Sequence, residues 1–189
     1  LGPAAEPPRL AGVVVEEFEE AEYSGPAAHP WADITVDLLG RDAAFREQLR
    51  RGVLSWADQL PTALGQDIFE QQGLAIGDAN GDGRDDVYVC QPGGLPNRLY
   101  LHQPDGSVRE AAAEAGLDLL DFTRSALWVD FDNDGDQDLA LTLANALVIQ
   151  ENDGAGRFRP LFEFATLGRP NGLAAADYDR DGRLDLYVA

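Results

Sequence analysis

The chain has 189 residues, 44% of them hydrophobic, a net charge of −20 and a pI of about 4.1. That is apolar material for one sizeable core, or one core with a small appendage, and so negative a surface repels nucleic acid and anionic membranes while suiting cations. The single cysteine, Cys90, rules out an internal disulfide, and no run approaches the length needed to span a bilayer, so membrane insertion is not expected.

Residues 1–66 differ in character from the rest and form an N-terminal extension of unassigned fold. "LGPAAEPPRLAG" is rich in Pro and Ala and reads as a linker or frayed end. No signal peptide is visible, but the chain opens at Leu1 and has no methionine, which leaves a preceding export signal open. "DITVDLLG" (33–40) alternates and predicts a strand. "RDAAFREQLRRGVLSWADQL" (41–60) has two readings: Phe45, Leu49, Val53 and Ala57 recur at helical spacing, yet the stretch could pair back on 33–40 as a hairpin across "GRDA". The hairpin is the preferred reading, which makes the region strand-containing. "PTALG" (61–65) reads as a connection into the repeating part of the chain.

From about residue 67 the chain repeats. Asp-rich stretches begin at 78, 130 and 177, spaced by 52 and 47 residues, and "NRLYLHQPDGSV" (97–108) matches "NALVIQENDGAGRF" (145–158) at an offset of 48. "GLAIGD", "ALWVDFD" and "GLAAADYD" lead into the loops as strands, and "DVYVC", "DLALT" and "DLYVA" leave them. A third strand comes next ("RLYLHQ" or "ALVIQE"), then an Asp-Gly turn and a weaker fourth ("SVREA" or "RFRPLFEF"). Four short strands in about 50 residues match one propeller blade. The expected blades are about 67–118, 119–166 and 167–189, the last cut within its second strand. Two and a half blades cannot close a ring, so the remaining blades are expected in a longer chain.

Thirteen of the 34 Asp and Glu residues lie in the three stretches, and all thirteen are aspartate. Numbered from the first aspartate, positions 1, 3, 5, 6 and 9 are Asp78, Asn80, Asp82, Gly83 and Asp86; Asp130, Asp132, Asp134, Gly135 and Asp138; and Asp177, Asp179, Asp181, Gly182 and Asp185. Positions 2, 4 and 8 vary freely. Calcium takes about six to eight hard oxygen ligands in a flexible shell, and alternate short side chains of a tight loop converge on one point. Glycine at position 6 permits the sharp turn, and the carbonyl at position 7 (Arg84, Asp136 or Arg183) adds an oxygen. Magnesium demands a stricter octahedron, and the lack of Cys or His argues against zinc or copper. An EF-hand needs Glu at position 12 between helices; here position 12 is Val89, Leu141 and Val188, within strands. The expectation is one Ca²⁺ per loop, three in all.

The pattern D-x-[DN]-x-D-G-x-x-D between strands, repeated about every 50 residues, resembles the FG-GAP or VCBS repeats of integrin-type β-propellers, over roughly residues 67–189. "NRLYLHQPDG" followed by "REAAAEAGL" further resembles the cartilage-acidic-protein and ASPIC/UnbV group. The resemblance implies an all-β fold, a seven-bladed propeller in the parent protein, calcium in the loop joining the first two strands of each blade, and a secreted, periplasmic or cell-surface setting. The FG and GAP signatures are weak here, and residues 1–66 have no counterpart.

Catalysis finds little support. His29 and His102 lack triad partners, and no G-x-S-x-G, phosphate-cradling loop or H-E-x-x-H occurs. The paired carboxylates have the spacing of metal ligands. Trp31, Trp56 and Trp128 could stack on sugars, but Trp128 sits where a core residue belongs, and Tyr88, Tyr100 and Tyr187 are expected to pack between blades. The expected function is a binding or adhesion scaffold for a protein or glycan ligand with structural calcium; the alternative is a fragment of a propeller enzyme acting on polysaccharide.

Overall fold

The computed structural model describes residues 32–56, 59, 72–166 and 168–189, and the elements below all lie in the unit Ile34–Ala189. The expectations for residues 1–31, including His29 and Trp31, and for 60–71 fall outside the described residues. The described residues are mostly β: ten strands in three antiparallel sheets, with few and short helices.

The first sheet comprises β1 (Leu74–Gly77), β2 (Asp86–Val89), β3 (Arg98–His102) and β4 (Val108–Glu110), hydrogen-bonded in that order. The second comprises β5 (Thr123–Val129), β6 (Asp138–Leu143), β7 (Ala146–Asn152) and β8 (Phe158–Ala165), again in sequence order. The third pairs β9 (Leu173–Ala176) with β10 (Asp185–Val188). Successive strands within a sheet are neighbours, as is usual where the connections between consecutive antiparallel strands are short. The strand spans agree with the sequence reading.

Alternation along the strands puts one face of the first sheet and one face of the second into a shared core. Tyr88, Leu99, Leu139 and Leu141 are fully buried, joined by Leu117 from the segment between the sheets. Trp128 packs edge-on to Tyr88 (centroids 6.3 Å apart) and against Phe158 (5.7 Å), so it is a core residue as expected. The Tyr88 hydroxyl donates to the Leu117 carbonyl at 3.0 Å, and Cys90 is buried, its thiol pushed up to about 12 by desolvation. Tyr187 departs from expectation: its side chain is exposed, because β10 has no covering layer among the described residues.

Gly73 shows why the sheets stack closely at their first strands. Its N–H donates to the Arg124 carbonyl at 2.7 Å, and a Cβ there would lie 2.9 Å from that oxygen. β1 lies beside β5, and β5 beside β9. A buried clasp adds to the contact: Asn97 accepts from the Gln91 N–H at 2.7 Å and donates to the Thr123 hydroxyl at 2.8 Å.

The region before the sheets corrects the sequence reading. No strand forms over 33–40; α1 spans Thr35–Leu39, α2 Ala43–Glu47 and α3 Val53–Trp56, with a 3₁₀ turn at Leu49–Arg51. A strand needs a partner backbone, and the intended partner is helical. Asp42 caps α2, accepting from the Phe45 N–H at 2.7 Å, ahead of good helix formers in "AAFRE". The carbonyls of Ile34 and Val36 then accept from Leu38 and Gly40, each at 2.9 Å. The alternating apolar pattern faces no core: Ile34 and Val36 are more than half exposed. The helical segment docks on the first sheet through Gln48, which donates to Gln91 (3.1 Å) and the Pro96 carbonyl (2.9 Å) and accepts from Arg98. α4 (Ala112–Ala115) closes the first sheet and turns the chain toward the second.

Candidate metal centre

Each acidic loop is the turn between the first two strands of a sheet. Position 9 is the first residue of the outgoing strand and pairs with the last residue of the incoming one: Asp86 with Gly77, Asp138 with Val129, Asp185 with Ala176. Across that pair the loop folds inward onto its own carboxylates. The position-9 carboxylate accepts from the N–H at position 2 (Ala79 3.0 Å, Phe131 3.0 Å, Tyr178 2.9 Å). The position-1 carboxylate accepts from the glycine N–H at position 6 (2.7, 3.1 and 3.0 Å). Position 3 accepts from the N–H at position 5, through Asn80, Asp132 and Asp179 (3.1, 3.2 and 3.1 Å). Position 5 accepts from the N–H at position 7 (3.0, 3.1 and 2.9 Å).

The glycines at position 6 have φ of 80°, 99° and 87°, which only glycine adopts without strain. Position 4 is also left-handed, at 71° for Gly81, 60° for Asn133 and 62° for Arg180. Its variability in sequence hid this requirement, although Gly and Asn are the residues that tolerate such a φ.

The chain thus gathers negative charge. Carboxylate oxygens of Asp130, Asp132 and Asp138 lie within 4.8 Å of one another, as do those of Asp177, Asp179 and Asp185. Asp134 and Asp181 stand outside these triplets, each held by the N–H two residues on. Asp82 meets a cation from its own loop, with Arg84 Nη1 3.2 Å away. Burial raises the Asp86 and Asp138 carboxyls above their ordinary value, partly offset by the N–H groups they accept from. Asp136 is pushed up to about 6, first by desolvation and then by Asp134, Asp138, Asp132 and Asp130. Asp130 Oδ1 and Asp136 Oδ1 are buried with no hydrogen-bond partner among the described residues. An all-oxygen donor set with an orphaned carboxylate oxygen is chemistry that a hard cation fits.

Three further residues position the loops, and sequence reasoning missed them. The free oxygen of Asp86 accepts from the His102 N–H at 2.7 Å, and that of Asp138 from the Asn152 N–H at 2.9 Å, tying each loop to the end of its third strand. The Asn152 side chain donates to the Ala79 carbonyl (3.0 Å) and the Gln137 carbonyl (2.9 Å), and Gln137 Oε1 accepts from the Asp78 N–H at 2.9 Å. The first and second loops are therefore hydrogen-bonded together. The only sequence signal was the alignment of strand ends before the Asp-Gly turns.

The repeated strand, acidic loop and strand define a repeat protein of one kind. The sequence pattern of the FG-GAP-like repeat matches residues 78–141 and 143–188, and the chain belongs to that family. It is similar to cartilage acidic protein 1 of Mus musculus and of Homo sapiens, 27% identical to each over 168 residues. The match covers 85% of this chain but 26% and 25% of those proteins, so the chain spans about a quarter of their length.

Proposed function

We propose that each loop binds one calcium ion and that the chain is part of a β-propeller acting as an extracytoplasmic binding or adhesion scaffold. The observation that carries this reading is the convergence of carboxylate oxygens from positions 1, 3 and 9 in the second and third loops, with Asp130 Oδ1 buried and, among the described residues, unpartnered. The side chains of Asp78, Asn80, Asp82 and Asp86, with the Arg84 carbonyl, would hold the first ion. Asp130, Asp132, Asp134 and Asp138 with the Asp136 carbonyl would hold the second, and Asp177, Asp179, Asp181 and Asp185 with the Arg183 carbonyl the third. Bound calcium supplies positive charge that reverses the mutual repulsion of the carboxylates. Three ions add six charges, taking −20 to −14.

In-order antiparallel sheets with their first strands side by side support a radial stack of blades, at about 67–118, 119–166 and 167–189. Extracellular modules bind calcium at about 10⁻⁴–10⁻³ M, a concentration met outside the cytosol. The relatives carry cartilage in their name, which favours the same setting, and the adhesion-type repeat favours a protein ligand. Among the described residues no helix is long and apolar enough to cross a membrane. Equilibrium dialysis against millimolar calcium tests the reading: about three ions per chain are expected, and none bound would overturn it.

A further inference from the structure

A cleft of about 320 Å³ opens on the face that the second sheet turns toward the first, where strands β7 and β8 meet the segment leading from α4 into β5. Its size suits a single long side chain or a small ligand. Leu119, Leu143, Val148 and Leu161 make it mainly apolar. Gln150 also lines it and is only 2% exposed, yet its Oε1 is buried with no hydrogen-bond partner among the described residues. An amide acceptor buried unpaired has lost its hydration without compensation, so this oxygen stands ready for a donor. Asp121 and Glu163, both exposed, also line it, and none of the described lining residues is basic.

An apolar trough with a waiting acceptor and two carboxylates matches an aliphatic stem that ends in a positively charged N–H donor. Lysine and arginine side chains have that form, since their methylene stems pack on apolar surface while the charged head seeks anions. We propose that this cleft receives a lysine or arginine side chain from a basic segment of a partner polypeptide. The chain's net charge of −20 draws such a segment in from a distance. The cleft shares no residue with the aspartate loops, so its occupancy is separate from their metal chemistry.

The test is an NMR titration of the full 189-residue chain in calcium, using the N-acetyl methylamides of lysine, arginine and norleucine as probes. The Gln150 side-chain amide and the Leu143 and Val148 methyl signals should shift saturably with the basic probes. Norleucine, which keeps the stem and lacks the charge, should bind about tenfold more weakly. The Asp121→Asn/Glu163→Gln double variant alters only exposed carboxylates, and it should lose most of the difference between lysine and norleucine. Gln150→Leu should keep the fold while weakening both basic probes. Equal response to norleucine, an equal response to a neutral sugar such as N-acetylglucosamine, or no shift at these signals would each overturn the proposal.

Discussion

Loops 130–138 and 177–185 spell the same motif and make the same internal turn, yet they stand in opposite surroundings. Asp138 is 1% exposed, and its two oxygens accept from Phe131 and Asn152. Asp185 is exposed and, among the described residues, accepts only from Tyr178. The nine residues by themselves specify a carboxylate-lined turn. The third strand of the sheet converts the position-9 aspartate into a buried knot, and the third sheet has only β9 and β10. Under the proposed calcium reading, one residue type at one motif position would do two jobs, ion ligand and strand tie, and only the strand tie differs between these copies.

Replacing position 9 exposes that difference most strongly. Asp138→Ala strands two backbone N–H groups and is expected to cost about 3 kcal/mol or more in chelator, where no ion is lost. Asp185→Ala should cost less than about 1 kcal/mol under the same conditions. Urea denaturation measures both, and equal losses would erase the distinction between the loops.

A smaller effect probes the bridge between the first two loops. Gln137→Ala frees the Asp78 N–H and should cost about 1 kcal/mol. It should also weaken calcium at the first loop, although Gln137 lies in the second; calorimetric titration reads both sites. Unchanged affinity at the first loop would show that the hydrogen bonds carry no coupling. Smallest is Arg180→Gly, which relieves a left-handed arginine and should stabilise the third loop by roughly 0.5–1 kcal/mol. The same replacement at Asn133 should do less, since Asn tolerates that conformation.

The strands and loops were legible because the chain states them three times. A period near 50 residues, with glycine fixed at position 6, constrains both backbone and side chains. The helices at Thr35–Leu39 and Ala43–Glu47 were not, because local alternation in "DITVDLLG" mimics a strand and only the absence of a pairing partner decides against it. Asp42 ahead of "AAFRE" was the overlooked signal. Position 4 was hidden by Arg180, a residue that occupies left-handed backbone at a cost. The roles of Gln137 and Asn152 rest on partners 59 and 73 residues away, which no local pattern encodes. Gln150 likewise looked like one more strand residue until the fold buried its amide beside an open cleft.

The claim beneath all of this is that a cation organises the aspartates. Without an ion, the raised carboxyls of Asp86, Asp138 and Asp136 hold protons more tightly in the folded chain than in the unfolded one. The contribution of these three groups to stability in chelator should therefore be full below the ordinary aspartate value of 3.8 and fall as pH rises from there through about 6. Calcium competes with protons for the same oxygens, so its stabilisation should be full above pH of about 6 and fade below it. Thermal unfolding in calcium and in chelator, at neutral pH and again in mild acid, measures this directly. A melting temperature raised by calcium at neutral pH, with the gap closing in acid, is the expected result; curves that coincide at neutral pH would contradict the account.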